Sequence, residues 1–369
     1  MSIASLKLRP LLVVIATHCL ATQCATSSHA ADGAANSAPK PTSPLDCEKL
    51  ASIPNTEGLG FPFAGVHGNA LLVAGGANFP NGKPWEGGKK VWHDTVFVLE
   101  SLGGKWKQAG KLPRPLAYGV SISTPDGIAC LGGSDAERHY ADCFLLKWSR
   151  GKLEVATLPN LPKPCANFTG VLLEHTIYVA GGIESPMATT ALHSFWSLDL
   201  SRPDATWREL EPWPGPGRMF ATMGGQGGAL YLFGGAGLKA NADGEAERQW
   251  LTDAYRFEMG TDWKQIANLP RPVVAAPTPA PALGQSQLLL LGGDDGAQAA
   301  TSPDQHRGFP RDILAYHTVT NRWTTIGKLP FSYATTPTAN WHGRIIVPGG
   351  ETRPGIRSNE AWVARIVPR

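Results

Sequence analysis

The chain is 369 residues long, 42% apolar and 17% charged, with a formal net charge of only +3. That is the composition of a globular chain with length enough for one large core or two domains. So weak a charge, with no block rich in Lys and Arg, excludes nucleic acid as the expected partner.

The first expected element is a leader. Lys7 and Arg9 precede LLVVIATHCLA, and Ser28 and Ala30 occupy the small positions that a signal peptidase reads. Residues 1–30 therefore read as a secretory signal peptide whose apolar run is too short to stay as a membrane anchor. At Cys24, TQC lacks the small residue expected before a lipoprotein cysteine. The expected location is periplasmic or secreted, with no stable membrane insertion once the signal is cleaved. Residues 31–45 are rich in Ala, Ser and Pro and read as a flexible lead-in; residues 46–369 form the folded domain.

Export permits disulfides. Beyond the signal stand Cys47, Cys130, Cys143 and Cys165, whose spacing fits no zinc pattern. Cys130 and Cys143 flank a short loop, and both a hairpin disulfide and buried free thiols fit that arrangement.

A Gly-Gly pair then recurs six times, each after an apolar run: LLVAGG, IACLGG, IYVAGG, LYLFGG, LLLLGG and IIVPGG. The first glycines are 75, 132, 181, 234, 292 and 349. Between pairs come a second strand-like run with an aromatic landmark (Trp106, Trp148, Trp207, Trp263, Trp323) and a proline punctuation (KLPRP, NLPKP, PWPGP, NLPRP, KLPFS). These landmarks resemble kelch repeats, each of which is one four-stranded blade. The expectation is an all-β, six-bladed kelch-type β-propeller, with the tryptophans wedged between blades. Only one strand, SNEAWVARIV, fits after the sixth pair, so CEKLASIPN near the start is expected to complete the last blade and close the ring.

In such a meander the start of the innermost strand and the residues after Gly-Gly share one end. That end gathers three long connections, 77–93, 236–252 and 294–311, together with Arg218. It also gathers Glu351, which directly follows the sixth pair, and Arg357 six residues on. The matching positions elsewhere are Ala77, Ser134, Ile183, Ala236 and Asp294, so an acid there is not a scaffold requirement. Taken on spacing alone, the Glu-Arg pair reads first as a loop ion pair at the surface.

GFPFAGVHGNALLVAGGANFP, PWEGGKK, HDTV, LPRPLAYGVS, MFATMGGQGGALYLFGGAG and PGGETRPGIRSNEAWV are similar to stretches of the N-acetylneuraminate epimerases, the sialic acid mutarotases. Their order differs, so the chain resembles a cyclically permuted branch of that family, which a closed ring tolerates. The resemblance implies mutarotation of N-acetylneuraminate or a related small sugar acid, without cofactor or metal. It places the proton acceptor on Glu351 and a catalytic arginine on Arg357, in GETRPGIR. It places a substrate-binding arginine on Arg218, although Gly217 stands where the family has proline. Asn78, Trp85, Lys90 and Tyr118 lie in matching segments and are the other substrate-binding candidates. Asp294 and Asp295 read as solvated rather than metal-ligating, and the ten histidines form no copper array. A non-catalytic propeller that binds a glycan or a partner protein is the alternative.

Overall fold

A computed structural model describes residues 43–367; the expected signal and most of the lead-in lie outside them. Six four-stranded antiparallel sheets are arranged as blades of a propeller. Blade I runs Phe63–His67, Ala70–Ala74, Thr95–Leu99 and Lys107–Lys111; blade II runs Val120–Thr124, Gly127–Leu131, Cys143–Ser149 and Lys152–Leu158. Blade III runs Thr169–Leu173, Thr176–Ala180, Phe195–Asp199 and Arg208–Leu210; blade IV runs Thr222–Gln226, Ala229–Phe233, Ala254–Glu258 and Lys264–Ile266. Blade V runs Ala282–Leu283, Gln287–Leu291, Asp312–His317 and Arg322–Lys328. Blade VI has Ala339–Trp341, Arg344–Arg353 and Ile356–Ile366, and its outer place is taken by Leu45–Lys49. Leu45 pairs with Ile366 and Lys49 with Trp362, which closes the ring as expected; the strand starts at Leu45, within the stretch read as lead-in.

The apolar runs before Gly-Gly are continuous rather than alternating because both faces of each blade are covered. Leu71 packs toward blade VI beside Ile346 and Val363, while Leu72 packs toward blade II beside Ile128 and Leu146. Alternate side chains of one strand thus enter two different interfaces, and the core is six wedges rather than one centre. Both glycines of every pair have positive φ, from 52° at Gly234 to 117° at Gly350, a region closed to most other residues at the exit of a buried strand.

Four outer-strand tryptophans seal these wedges. The indoles of Trp106, Trp207, Trp263 and Trp323 donate to the carbonyls of Ala51, Pro159, Glu211 and Ala267, each just past the outer strand of the preceding blade. Trp148 also enters a wedge as expected, the one between blades I and II. It sits on the third strand of blade II, paired with Leu153, and Leu153 holds the outer-strand position against Gly110 of blade I.

Cys130 and Cys143 do not face each other. Cys143 pairs with Leu131 and Phe144 with Cys130, so the two thiols leave opposite faces of blade II, into the wedges toward blades I and III. All four described cysteines are free.

Around the central channel the innermost strands are tied by a closed belt of backbone hydrogen bonds. Tyr118 N–H donates to Phe61 (3.1 Å), Asn167 to Tyr118 (2.8 Å), Phe220 to Asn167 (2.7 Å), Ala275 to Phe220 (2.8 Å), Thr335 to Ala275 (2.8 Å) and Phe61 to Thr335 (2.6 Å). Each belt residue has positive φ, between 44° and 65°, and none is glycine. Phe61 and Phe220 come from opposite blades and stack at 5.7 Å, with Tyr118 at 5.5 Å from Phe61, so aromatic rings plug the channel.

Candidate active site

Just above the belt, the residue after each Gly-Gly pair bridges the residue before the belt position: Gly60 with Ala77, Ala117 with Ser134, Ala166 with Ile183, Met219 with Ala236, Val274 with Asp294 and Ala334 with Glu351. Both landmarks therefore meet at one end, as the repeat predicts. There the belt floors a cavity of about 610 Å³, whose walls include Ser134, Ile183, Asp294 and Glu351. The long connections supply its rim through Lys90 and Trp92, through Leu238 and Arg248, and through Phe309.

Glu351 and Arg357 are not on a loop. In blade VI the ladder continues past Gly-Gly, and Glu351 pairs directly across from Arg357. The register shifts on both sides of Glu351, and such bulges re-aim side chains. The two side chains are in contact as an ion pair, 13% and 5% exposed, and both line the cavity. Gly355 N–H donates to Glu351 Oε1 at 2.7 Å, which fixes the carboxylate within its own hairpin.

Arg357 reaches out of blade VI across blade I. Its Nε donates to Ala77 O at 3.4 Å, and its guanidinium lies over Phe79 at 5.5 Å. Burial works against its charge, but the Glu351 carboxylate and the Tyr118 hydroxyl outweigh it and raise the pKa. Nη1 and the Tyr118 hydroxyl are nevertheless both buried without an aligned hydrogen bond, so charge and proximity hold this group together. Lys90 lies 5.1 Å above the Tyr118 ring and 5.5 Å from Trp92, putting a second cation on the same side.

Three sequence candidates fall elsewhere. Arg218 does not line the cavity. It is fully buried between blades III and IV, where it forks onto Asp253 (2.7 and 3.1 Å) and donates to Gly234 O. Trp213 and Tyr255 flank its guanidinium, so its charge is already spent on the scaffold. Asn78 is also buried, bound to Asn55, Gly58 and His93; it ties the first long connection down beneath Arg357 instead of facing a ligand. Trp85 lies in a single 3-10 turn, Pro84–Glu86, and covers the outside of the blade VI hairpin against Arg353 and Gly355.

Other wall residues escaped the sequence reading. His139 is buried, and its Nδ1 is 3.0 Å from Ile183 O. A carbonyl only accepts, so the proton is on Nδ1 and the Nε2 lone pair is free; burial lowers the pKa and keeps the ring neutral. Asp294, in the Glu351 position of blade V, has its pKa raised chiefly by burial. Asn167 and Thr335 were legible only by register, since belt residues stand fourteen positions before the first glycine in every blade but V, where the offset is seventeen.

Comparison with known proteins agrees with this architecture. The family model described as N-acetylneuraminate epimerase matches residues 34–155 and 158–299. An N-acetylneuraminate epimerase of Yersinia pestis (strain Pestoides F) is 33% identical over 231 residues, 55% of this chain and 56% of that protein. One from Haemophilus influenzae (strain PittEE) is 29% identical over 228 residues, 55% and 58% of the two chains. One from Brucella suis is 39% identical over 120 residues, 30% of each. The chain thus spans about half the length of the curated relatives it matches. A solved structure titled "Structure of YjhT" superposes with a TM-score of 0.63 at 14% identity, over 85% of this chain and 95% of that one, a likeness of fold. The family match ends before GETRPGIR, so the roles of Glu351 and Arg357 rest on their geometry.

Proposed function

The chain belongs to the N-acetylneuraminate epimerase family, and on that premise we propose that it interconverts the anomers of N-acetylneuraminate or a closely related sugar acid. The observation that carries the proposal is the Glu351–Arg357 pair on the wall of the belt-floored cavity.

Opening a cyclic keto-sugar acid takes a proton from the anomeric hydroxyl and gives one to the ring oxygen; rotation and reclosure yield the other anomer. Glu351, held against the Arg357 guanidinium, takes the anomeric proton. The same carboxyl, now protonated, delivers that proton to the ring oxygen as the C–O bond breaks, and reclosure on the other face of the carbonyl runs both transfers in reverse. In such a substrate the carboxylate is borne on the anomeric carbon itself, so its counter-charge must stand near the base. Arg357 and Lys90 are the cations so placed, which moves substrate-carboxylate recognition away from Arg218.

The test is anomer exchange of N-acetylneuraminate followed by NMR, comparing the natural chain with Glu351→Gln. A positioned base contributes roughly 10²- to 10⁴-fold, and the variant should lose that much while still binding sugar. Exchange undiminished in the variant would remove Glu351 from the mechanism; binding without exchange in the natural chain would favour a lectin-like propeller. We also propose export, resting on the leader at residues 1–30; N-terminal sequencing of protein from a periplasmic fraction checks it.

A further inference from the structure

Six consecutive blades each place a non-glycine residue in the left-handed region at the same level of the channel. That conformation costs roughly 1–2 kcal/mol for a residue with a Cβ, and glycine would relieve it. The chain keeps Phe61, Tyr118, Asn167, Phe220, Ala275 and Thr335 instead, so side chains are wanted at this level. Two of them, Asn167 and Thr335, carry a buried polar atom (Oδ1 and Oγ1) with no partner among the described residues, and the buried Tyr118 hydroxyl has only the Arg357 guanidinium beside it, without an aligned hydrogen bond. All three residues line the cavity, Thr335 at only 8% exposure. An orphaned buried polar group costs about 1–3 kcal/mol, and two on one floor, with the Tyr118 hydroxyl beside them, amount to an unfilled hydrogen-bonding site.

The rest of the floor has the complementary chemistry. Phe220 faces the cavity backed by Phe61, and this aromatic bar crosses the ring with Tyr118 and Asn167 on one side, Ala275 and Thr335 on the other. An apolar aromatic surface edged by separated hydrogen-bonding groups matches a pyranose, which has an apolar C–H face and polar groups around its perimeter. Asn167 Oδ1 can only accept, so it selects a ligand hydroxyl or amide N–H; the two hydroxyls can donate or accept. Glu351 exchanges both backbone hydrogen bonds with Ala334, the neighbour of Thr335, so the base overhangs one edge of this floor.

We infer that the belt is the sugar-recognition platform: Phe220 underlies the pyranose while Tyr118, Asn167 and Thr335 bind its hydroxyl and acylamino substituents, presenting the anomeric centre to Glu351. The inference rests on the anomerase reading for the ligand class, but it is tested by binding, which that reading does not require to fail or succeed with it.

Thr335→Val deletes an orphaned hydroxyl, and Tyr118→Phe the hydroxyl beside Arg357, each with little change of shape. The dissociation constant for N-acetylneuraminate is measured by ligand-observed saturation transfer, alongside kcat, KM and the melting temperature. Each variant should bind about tenfold more weakly, as one lost hydrogen bond with an unpaired ligand group implies. Thr335→Val should melt no lower than the natural chain, because an unsatisfied group has been removed. Thr335→Ser should restore affinity. The inference is overturned if the variants bind as the natural chain does, or if Thr335→Ser binds no better than Thr335→Val. Sugar binding sensitive to these positions, in a protein without anomer exchange, would keep the platform and discard the catalytic reading; the converse result would do the opposite.

Discussion

The Arg357 side chain occupies the space that a side chain on Gly60 would need: a Cβ at residue 60 would lie 2.8 Å from Arg357 Cδ and 3.0 Å from its Cζ. Gly60 is not among the positive-φ glycines, so it is glycine for room and not for backbone freedom. The residue lets a cation from the last blade cross onto the first, where its Nε meets Ala77 O.

Gly60→Ala should therefore disable the site. The added methyl pushes Arg357 off Glu351, and a displacement of about 1 Å at a reacting group costs on the order of 10²-fold. Anomer exchange should fall by that factor, and the melting temperature should fall as well, because the disturbed pair is buried. Full activity in a well-folded Gly60→Ala protein would mean that the contact between Arg357 and Glu351 is dispensable.

Arg218 supplies the opposite case, an arginine in a family-like segment that the structure commits to stability. Removing one partner of a buried ion pair leaves the other uncompensated and costs about 3–5 kcal/mol. Arg218→Ala should melt far lower than the natural chain, through loss of the forked contact with Asp253. At a temperature where the variant is folded, its KM should match the natural value. A raised KM with unchanged stability would return Arg218 to the substrate.

The contrast explains how much of the fold and of the site was legible in the sequence. The fold was legible because its signal is repeated: six Gly-Gly exits, each forced by positive φ, and outer-strand aromatics at regular spacing. Even ring closure by Leu45–Lys49 follows from counting strands. Trp148 reaches its wedge from the third strand, the other four from the start of the fourth, a distinction that a linear sequence does not display. Site membership was harder for a different reason. Arg218 and Tyr118 both stand near the start of an innermost strand, but one side chain turns into a blade interface and the other over the channel, a choice made two residues apart in the blade register. Asn167 and Thr335 carry no motif at all; only their common register with Tyr118 marks them.

His139 gives the fold a pH dependence with a definite sign. Burial lowers its pKa below the ordinary 6.5, and the same holds for His93, whose Nε2 meets Asn78 Oδ1. Protons then bind the unfolded chain more readily, so stability is complete above about pH 6.5 and declines as the pH falls below it. Asp135 faces His139 and partly offsets the burial, and Asp94 does so for His93. Asp294 acts in the opposite sense, since its pKa is raised, but within the more acid carboxylate range. Melting temperatures between pH 8 and pH 5 should fall with acidity, and His139→Gln should flatten part of that slope. An identical slope in the variant would show that His139 titrates normally in the folded protein.

The strand Leu45–Lys49 links closure of the ring to the chemistry. It pairs along the far side of Ile356–Ile366, the strand that carries Arg357, and Leu45 is buried in the wedge between blades V and VI. Without it Ile356–Ile366 becomes an open edge, and exposed edges recruit other chains. A chain beginning at Ala51 should therefore self-associate on size exclusion and lose anomer exchange, because the strand that sets Arg357 opposite Glu351 has lost its outer neighbour. Leu45→Asp, which keeps the length but buries a charge in the same wedge, should lower the melting temperature by several degrees and shift the protein toward the same behaviour. A monomeric, active chain starting at Ala51 would mean that blade VI holds its hairpin with three strands.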